Sequence, residues 1–183
     1  ANISLNLGKG NRPTAEKLLG NAFTLSIIVG LAIAILGTIC ANPILNLFGA
    51  SENTLFYAKE YLNIILLGCT FNILSFSLNS TVRADGNPKM SSFTMVIGCG
   101  TNIILDYVFI FILNLGVKGA ALATIISQAI TFFIILYYYT AGNSNLKLKV
   151  ENFKLKKHLV TMTFAIGIAP FATQIANSLV QVI

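Results

Sequence analysis

Asp106 stands in the run Gly98-Cys-Gly-Thr-Asn102-Ile-Ile-Leu-Asp106-Tyr-Val-Phe-Ile-Phe-Ile-Leu-Asn114 and is the single acid between Met90 and Val117. An ionised carboxylate in apolar surroundings costs several kcal/mol unless a cation or a proton relieves it, so an acid here points to chemistry with small cations. Asn102 lies one helical turn earlier, where its amide shares a face with the carboxylate. The apolar runs on either side of residue 116 are joined by a short link, which folds them into an antiparallel hairpin. Reflection about that centre brings Thr124 within about one turn of Asp106 in depth, and Gln128 continues the Thr124 face one turn on. Carboxylate, amide and hydroxyl are hard oxygen donors, suited to a proton or to Na+. Asp106, Asn102 and Thr124 therefore form the candidate cation site, and the candidate metal ligands if Na+ is the ion.

The elements that position these residues are membrane spans. Of the 183 residues, 55% are hydrophobic and 10% charged, the mean hydropathy is +0.78, and about 25% charged is usual in a soluble domain. About 20 apolar residues cross the hydrocarbon, and the sequence offers five such stretches, near 22–41, 61–82, 90–113, 119–139 and from 159 onward. Residues 1–7 read as the end of a preceding helix, Thr14 as the cap of the next, and residues 43–57 as a loop with a short amphipathic stretch. Asp106 lies sixteen residues beyond Met90, about 24 Å along a helix, inside the hydrocarbon and toward its far half.

Lys and Arg number three, two and five in loops 8–17, 83–89 and 141–157, against Lys59 and Lys118 elsewhere. This bias places those three loops in the cytoplasm. It also accounts for the net charge of +6, so the sequence calls for no nucleic-acid partner; the Lys-rich connection suits anionic lipid head groups. Cys40, Cys69 and Cys99 sit singly in separate runs, with neither metal nor disulfide spacing. No phosphate loop, zinc spacing or nucleophile-base pair supports an enzyme, and no cofactor is expected beyond H+ or Na+ as coupling ion.

Further polar residues mark a second kind of site. Gln174, Asn177 and Gln181 recur at helical spacing in the last run, where they line a cavity or hydrogen-bond between helices, and Pro170 is placed to kink that helix. Asn72 and Asn79 share a face with Ser75 between them. His158, beside Lys157, reads as an interfacial residue.

Taken together, Gly8-Lys-Gly-Asn11, Arg83-Ala-Asp-Gly-Asn-Pro88, Asn102-Ile-Ile-Leu-Asp106, Gly116-Val-Lys-Gly-Ala-Ala-Leu-Ala-Thr124-Ile-Ile-Ser-Gln128 and Gly167-Ile-Ala-Pro-Phe171 resemble the multidrug and toxic compound extrusion (MATE) transporters. The resemblance implies an all-α polytopic helical bundle, part of a twelve-helix transporter with two lobes. It makes the chain an internal fragment running from the end of helix two to most of helix seven. Residues 1–140 are then amino-lobe helices, 141–157 a cytoplasmic inter-lobe linker and 158–183 the start of the second lobe. By position, Asn102, Asp106 and Thr124 match the family's amino-lobe cation group, and the resemblance adds the carbonyl of Ala120. It implies export of small organic cations by alternating access to a central cavity with H+ or Na+ antiport, and the remainder of the same chain as partner; helical spacing offers Gln128, Gln174, Asn177 and Gln181 as candidate cavity residues. The alternatives are a lipid-linked oligosaccharide flippase of the same superfamily and a non-transporting scaffold or sensor.

Overall fold

Two turns of almost the same sequence start two of the long helices. In Gly10-Asn11-Arg12-Pro13 and Gly86-Asn87-Pro88 the glycine adopts positive φ, +72° and +88°, a conformation that L side chains rarely adopt. The following asparagine caps the new helix: Asn11 accepts from the Thr14 N–H at 3.3 Å and Asn87 from the Met90 N–H at 3.0 Å. Proline then occupies the first turn, where its missing N–H would be unsatisfied anyway. The cap of the first span is therefore Asn11 rather than Thr14, because an asparagine oxygen three residues ahead of Thr14 reaches its N–H first.

The computed structural model describes residues 2–47 and 52–182. Its α-helices are α1 (Asn2–Gly8), α2 (Arg12–Ile39), α3 (Ala41–Leu47), α4 (Glu52–Ala84), α5 (Pro88–Asp106), α6 (Gly116–Thr140) and α7 (Lys157–Val182). A π-helical turn, Tyr107–Ile112, extends α5, and a short 3-10 turn, Val150–Phe153, precedes α7. Four helices among the described residues are long and apolar enough to cross a membrane, and α7 makes a fifth if its halves, bent by 44° at Pro170, count as one span. The expected spans are thus present. The expected loop at 43–57, whose residues 48–51 lie outside the described residues, is helical on both sides of them: Pro43 falls inside α3, and α4 already begins at Glu52. Proline is accommodated in a helix's first turn, and the polar start of α4 carries helix beyond the hydrocarbon, which is why hydropathy alone missed both.

α6 packs between α4 and α5, and α2 packs on the other flank of α4. Outward faces are apolar and exposed, with Leu36 at 62%, Val96 at 70% and Ile103 at 68%, as a lipid-facing surface requires. The core lies toward the Lys- and Arg-rich end, where Leu18, Leu19, Leu78, Val82, Ile135 and Tyr139 are buried together. Small residues bring the backbones close, as is usual between membrane helices. A Cβ built on Gly30 of α2 would lie 2.8 Å from Cα of Thr70 in α4. Since backbone cannot yield as a side-chain tip can, Gly30→Ala should lower stability by about 1–3 kcal/mol. A reduced melting temperature of the detergent-solubilised protein is the check.

Residues 141–157 are docked on the helices. Leu146 is fully buried in the core. Asn21 of α2 donates to the carbonyls of Asn152 and Lys154 and accepts from the Lys156 N–H at 3.0 Å, while the Thr24 hydroxyl donates to the Phe153 carbonyl. Lys149 pairs with Glu16 at 2.8 Å, and Lys147 donates its ammonium to the Gly142 carbonyl. Two of the five lysines in this segment are thereby engaged within the protein.

A candidate cation site at the far end of the bundle

On α5, Asn102 and Asp106 stand one turn apart, and directly after Asp106 the helix widens. The Leu113 N–H reaches back five residues to the Val108 carbonyl at 2.9 Å, and the Tyr107 N–H is shared between the carbonyls of Ile103 and Ile104. Such π-turns hold one residue more than the α-helical path and recur at functional sites. No local sequence signal announced it.

Two close approaches set the register of α5 against α6. A Cβ on Gly119 would lie 3.0 Å from the backbone of Phe109, and one on Gly98 would lie 2.6 Å from the Thr131 hydroxyl. With the helices antiparallel, Asp106 is level with Leu122 and Ala123, and Asn102 with Ile126 and Ser127. Thr124 falls between those levels, within about 3 Å in height of Asp106 at 1.5 Å per residue. The Thr124 hydroxyl donates to the Ala120 carbonyl at 2.9 Å, which spends its proton and leaves its oxygen lone pairs to accept. Thr124, eleven residues before the buried Ile135, lies on the stripe of α6 that faces the core.

The buried side-chain polar atoms that lack a hydrogen-bond partner among the described residues are Asp106 Oδ1, Asn102 Nδ2 and Asn63 Oδ1. Buried polar atoms are ordinarily paired, and an orphan carboxylate oxygen is the costliest to leave so. An amide end can turn to present either its oxygen or its nitrogen. One carboxylate among neutral oxygens balances one monovalent charge, so the donor set fits a proton or an alkali cation. No cluster of three or more His, Cys, Asp or Glu side chains occurs among the described residues.

The other expected positions lie elsewhere. A cavity of about 710 Å³ opens between α2, α4 and α7, with Ser26, Asn72, Phe76, Thr163, Phe164 and Phe171 among its walls. Gln128, Gln174 and Asn177 are not wall residues of this cavity. The backbone carbonyl of Gln128 accepts from Ser75 at 2.8 Å; Gln174 and Asn177 are exposed beyond the bend of α7. Gln181 belongs to the last turn of α7, and its side chain lies outside the described residues. Asn72 and Asn79, alike in sequence, divide their roles. Asn79 donates to the Ser91 carbonyl at 3.1 Å and to the Thr94 hydroxyl at 2.6 Å and accepts from the Ser91 hydroxyl, which ties α4 to α5. Replacing Asn79 by Ala should leave the buried Ser91 hydroxyl without its acceptor, while the Thr94 hydroxyl keeps its bond to the Ser91 carbonyl at 2.8 Å, and cost about 1–3 kcal/mol, again read from thermal unfolding in detergent.

Sequence reasoning missed Asn63, Asp85, Glu16 and Asn21. Asn63 lies eleven residues before the buried Leu74, hence on the core-facing stripe of α4, a placement that the burial of Leu74 reveals and spacing alone does not. Partners of Asp85, Glu16 and Asn21 come from the segment 141–157, sixty or more residues away, and Asp85 is held also by Tyr138 of α6, 53 residues away.

The MatE profile matches residues 2–108, more than half of the 183 residues. The chain belongs to the MatE family. A multidrug export protein, MepA of Staphylococcus haemolyticus strain JCSC1435, is 39% identical over 146 residues, covering 80% of this chain and 32% of the relative. The solved inward-facing conformation of a multidrug resistance MATE family transporter of the MOP superfamily aligns with a TM-score of 0.85 and 26% identity, over 91% of this chain and 38% of that one. The outward-facing conformation of a transporter so described gives 0.80 and 26%, over 86% and 35%. The chain spans about a third of the length of the curated relatives it matches. As a MatE member with several apolar helices it is a multi-pass membrane protein.

Proposed function

We propose that these residues form the amino-lobe part of a secondary active multidrug exporter in the cell membrane, one that trades inward H+ or Na+ for outward organic compounds. The observation that carries the reading is the buried, unpartnered oxygen of Asp106 beside the unpartnered amide of Asn102, at the level of Thr124. With no cation near it, the ionised acid favours any packing that lets water reach it. Binding of a proton or Na+ at Asp106 removes that penalty and favours the closed packing of α4, α5 and α6. Asn102 and Thr124 hold the ion beside the acid. The Ala120 carbonyl takes part through the Thr124 hydroxyl that donates to it.

The cavity between α2, α4 and α7 is the proposed path of the substrate. Its walls are aromatic and aliphatic, with Ser26, Asn72, Ser77 and Thr163 as the polar residues and, among the described residues, no Lys or Arg, so the described walls offer a lipid diphosphate head group no countercharge. Lipophilic organic cations suit such a surface. The test is export of ethidium from proteoliposomes that carry the full-length transporter. Export is expected to respond to an imposed H+ or Na+ gradient, and indifference to both gradients overturns the reading.

A further inference from the structure

We propose that Asn63 supplies, from α4, the carbonyl oxygen against which Asp106 holds its cation, so that the coupling site draws on three helices of this chain. The inference rests on the assignment of Asp106 above and extends it to a residue that neither spacing nor resemblance had singled out.

Three observations carry it. First, Asn63 Oδ1 is buried and has no hydrogen-bond partner among the described residues, a condition it shares only with Asp106 Oδ1 and Asn102 Nδ2. Second, Asn63 and Asp106 lie at nearly one depth, with Asn102 one turn away along α5. α4 and α6 run side by side in the same direction, with Glu60 paired to Lys118 at 2.8 Å and Gly68 packed against Ile125. That register sets Asn63 level with Ala120 and Ala121, while Asp106 is level with Leu122 and Ala123, a difference in height of about 3 Å. Third, Asn63 and Thr124 face the same interior. Asn63 precedes Leu74 by eleven residues and Thr124 precedes Ile135 by eleven; Leu74 and Ile135, at 4% and 0% exposure, pack in one core. Asn63 and Thr124 therefore lie three turns farther along the two core-facing stripes, toward the end where Asp106 sits.

The chemistry is complementary. An amide oxygen carries a partial negative charge and has no proton to give, so beside a carboxylate oxygen it creates a demand for positive charge. A protonated Asp106 would donate its O–H to that oxygen, and Na+ would share both oxygens. The Glu60–Lys118 pair, one turn away along α4, fixes that end of α4 against α6 and holds Asn63 at this level.

The experiment is infrared spectroscopy of the full-length transporter in lipid, following the carboxyl C=O band at acid pH that Asp106→Asn removes. Asn63→Leu is expected to shift that band to higher frequency, because the acid loses the acceptor of its O–H. Asn63→Ala removes the same oxygen and serves if leucine is not tolerated. Asn72→Leu, on the cavity face of α4, is expected to leave the band in place. Where added Na+ removes the band in the parent protein, the concentration needed is expected to rise at least about tenfold in the Asn63 variants. A band that stays at the parent position in every folded Asn63 variant overturns the role of Asn63 and leaves Asp106 assigned. Failure of Asp106→Asn to remove any carboxyl band overturns the Asp106 assignment, and this inference with it.

Discussion

In Asp106→Asn, export driven by an ion gradient should fall to the passive leak, while exchange of substrate across the membrane without a gradient persists. Asparagine is close to aspartate in size and keeps an oxygen, so helix packing survives, but it neither ionises nor binds a proton in the accessible range. The free-energy difference between cation-loaded and empty states then vanishes at this position, and an ion with no differential effect on two conformations cannot shift them. Because the buried Oδ1 of Asp106 has no hydrogen-bond partner among the described residues and an ionised carboxylate is costly in such a place, the loss is expected to be complete rather than partial. A second measurement separates this from simple damage. The variant should unfold at the same or a higher temperature than the parent in detergent near neutral pH, since an uncompensated buried charge has been removed. Lower stability together with retained gradient-driven export would contradict both parts.

How far the site could be read from sequence depended on distance along the chain. Asp106 and Asn102 were visible because they are one turn apart in a run otherwise apolar, and Thr124 because a five-residue link leaves a hairpin one way to fold. Spans were visible because their length is dictated by the bilayer. Asn63 escaped notice since its significance comes from register against α6, fixed by Glu60 with Lys118 and Gly68 with Ile125, pairs separated by more than fifty residues. The π-turn after Asp106 likewise reflects packing of Phe109 on Gly119 rather than any propensity of Tyr107-Val-Phe-Ile. Lysines dominate the segment 141–157, yet Leu146 and Ser144 anchor it by burial. Composition reports on average solvation and says little about which two or three residues anchor a loop.

Those anchors lead to the other large effect, at Asp85. Its carboxylate is 2% exposed and accepts from the Tyr138 hydroxyl at 2.7 Å, the Asn145 N–H at 3.0 Å and the Leu146 N–H at 3.1 Å. Among the described residues it has no ion-pair partner, so these three donors are what hold the charge. The Asn145 side chain in turn donates to the Asp85 backbone carbonyl at 2.8 Å. Asp85→Ala strands the Tyr138 hydroxyl and two backbone N–H groups, each worth about 1–3 kcal/mol when buried and unpaired. A hollow of about 470 Å³ borders Asp85 and Asn145, so water can reach part of the wound and the sum will not be realised in full. A net loss of about 3 kcal/mol corresponds to roughly a hundredfold, and hydrogen exchange at the Asn145 and Leu146 amides should accelerate by that factor. Tyr138→Phe removes one donor and leaves the carboxylate its other two, so the same amides should quicken by about tenfold or less. The helix amides of α4 and α6 away from this cluster should keep their protection, because Leu78, Val82 and Ile135 remain packed. If all amides quicken together in Asp85→Ala, the aspartate supports the whole lobe; if only 142–149 respond, it is a local clasp that ties this segment to the helices before α7 begins.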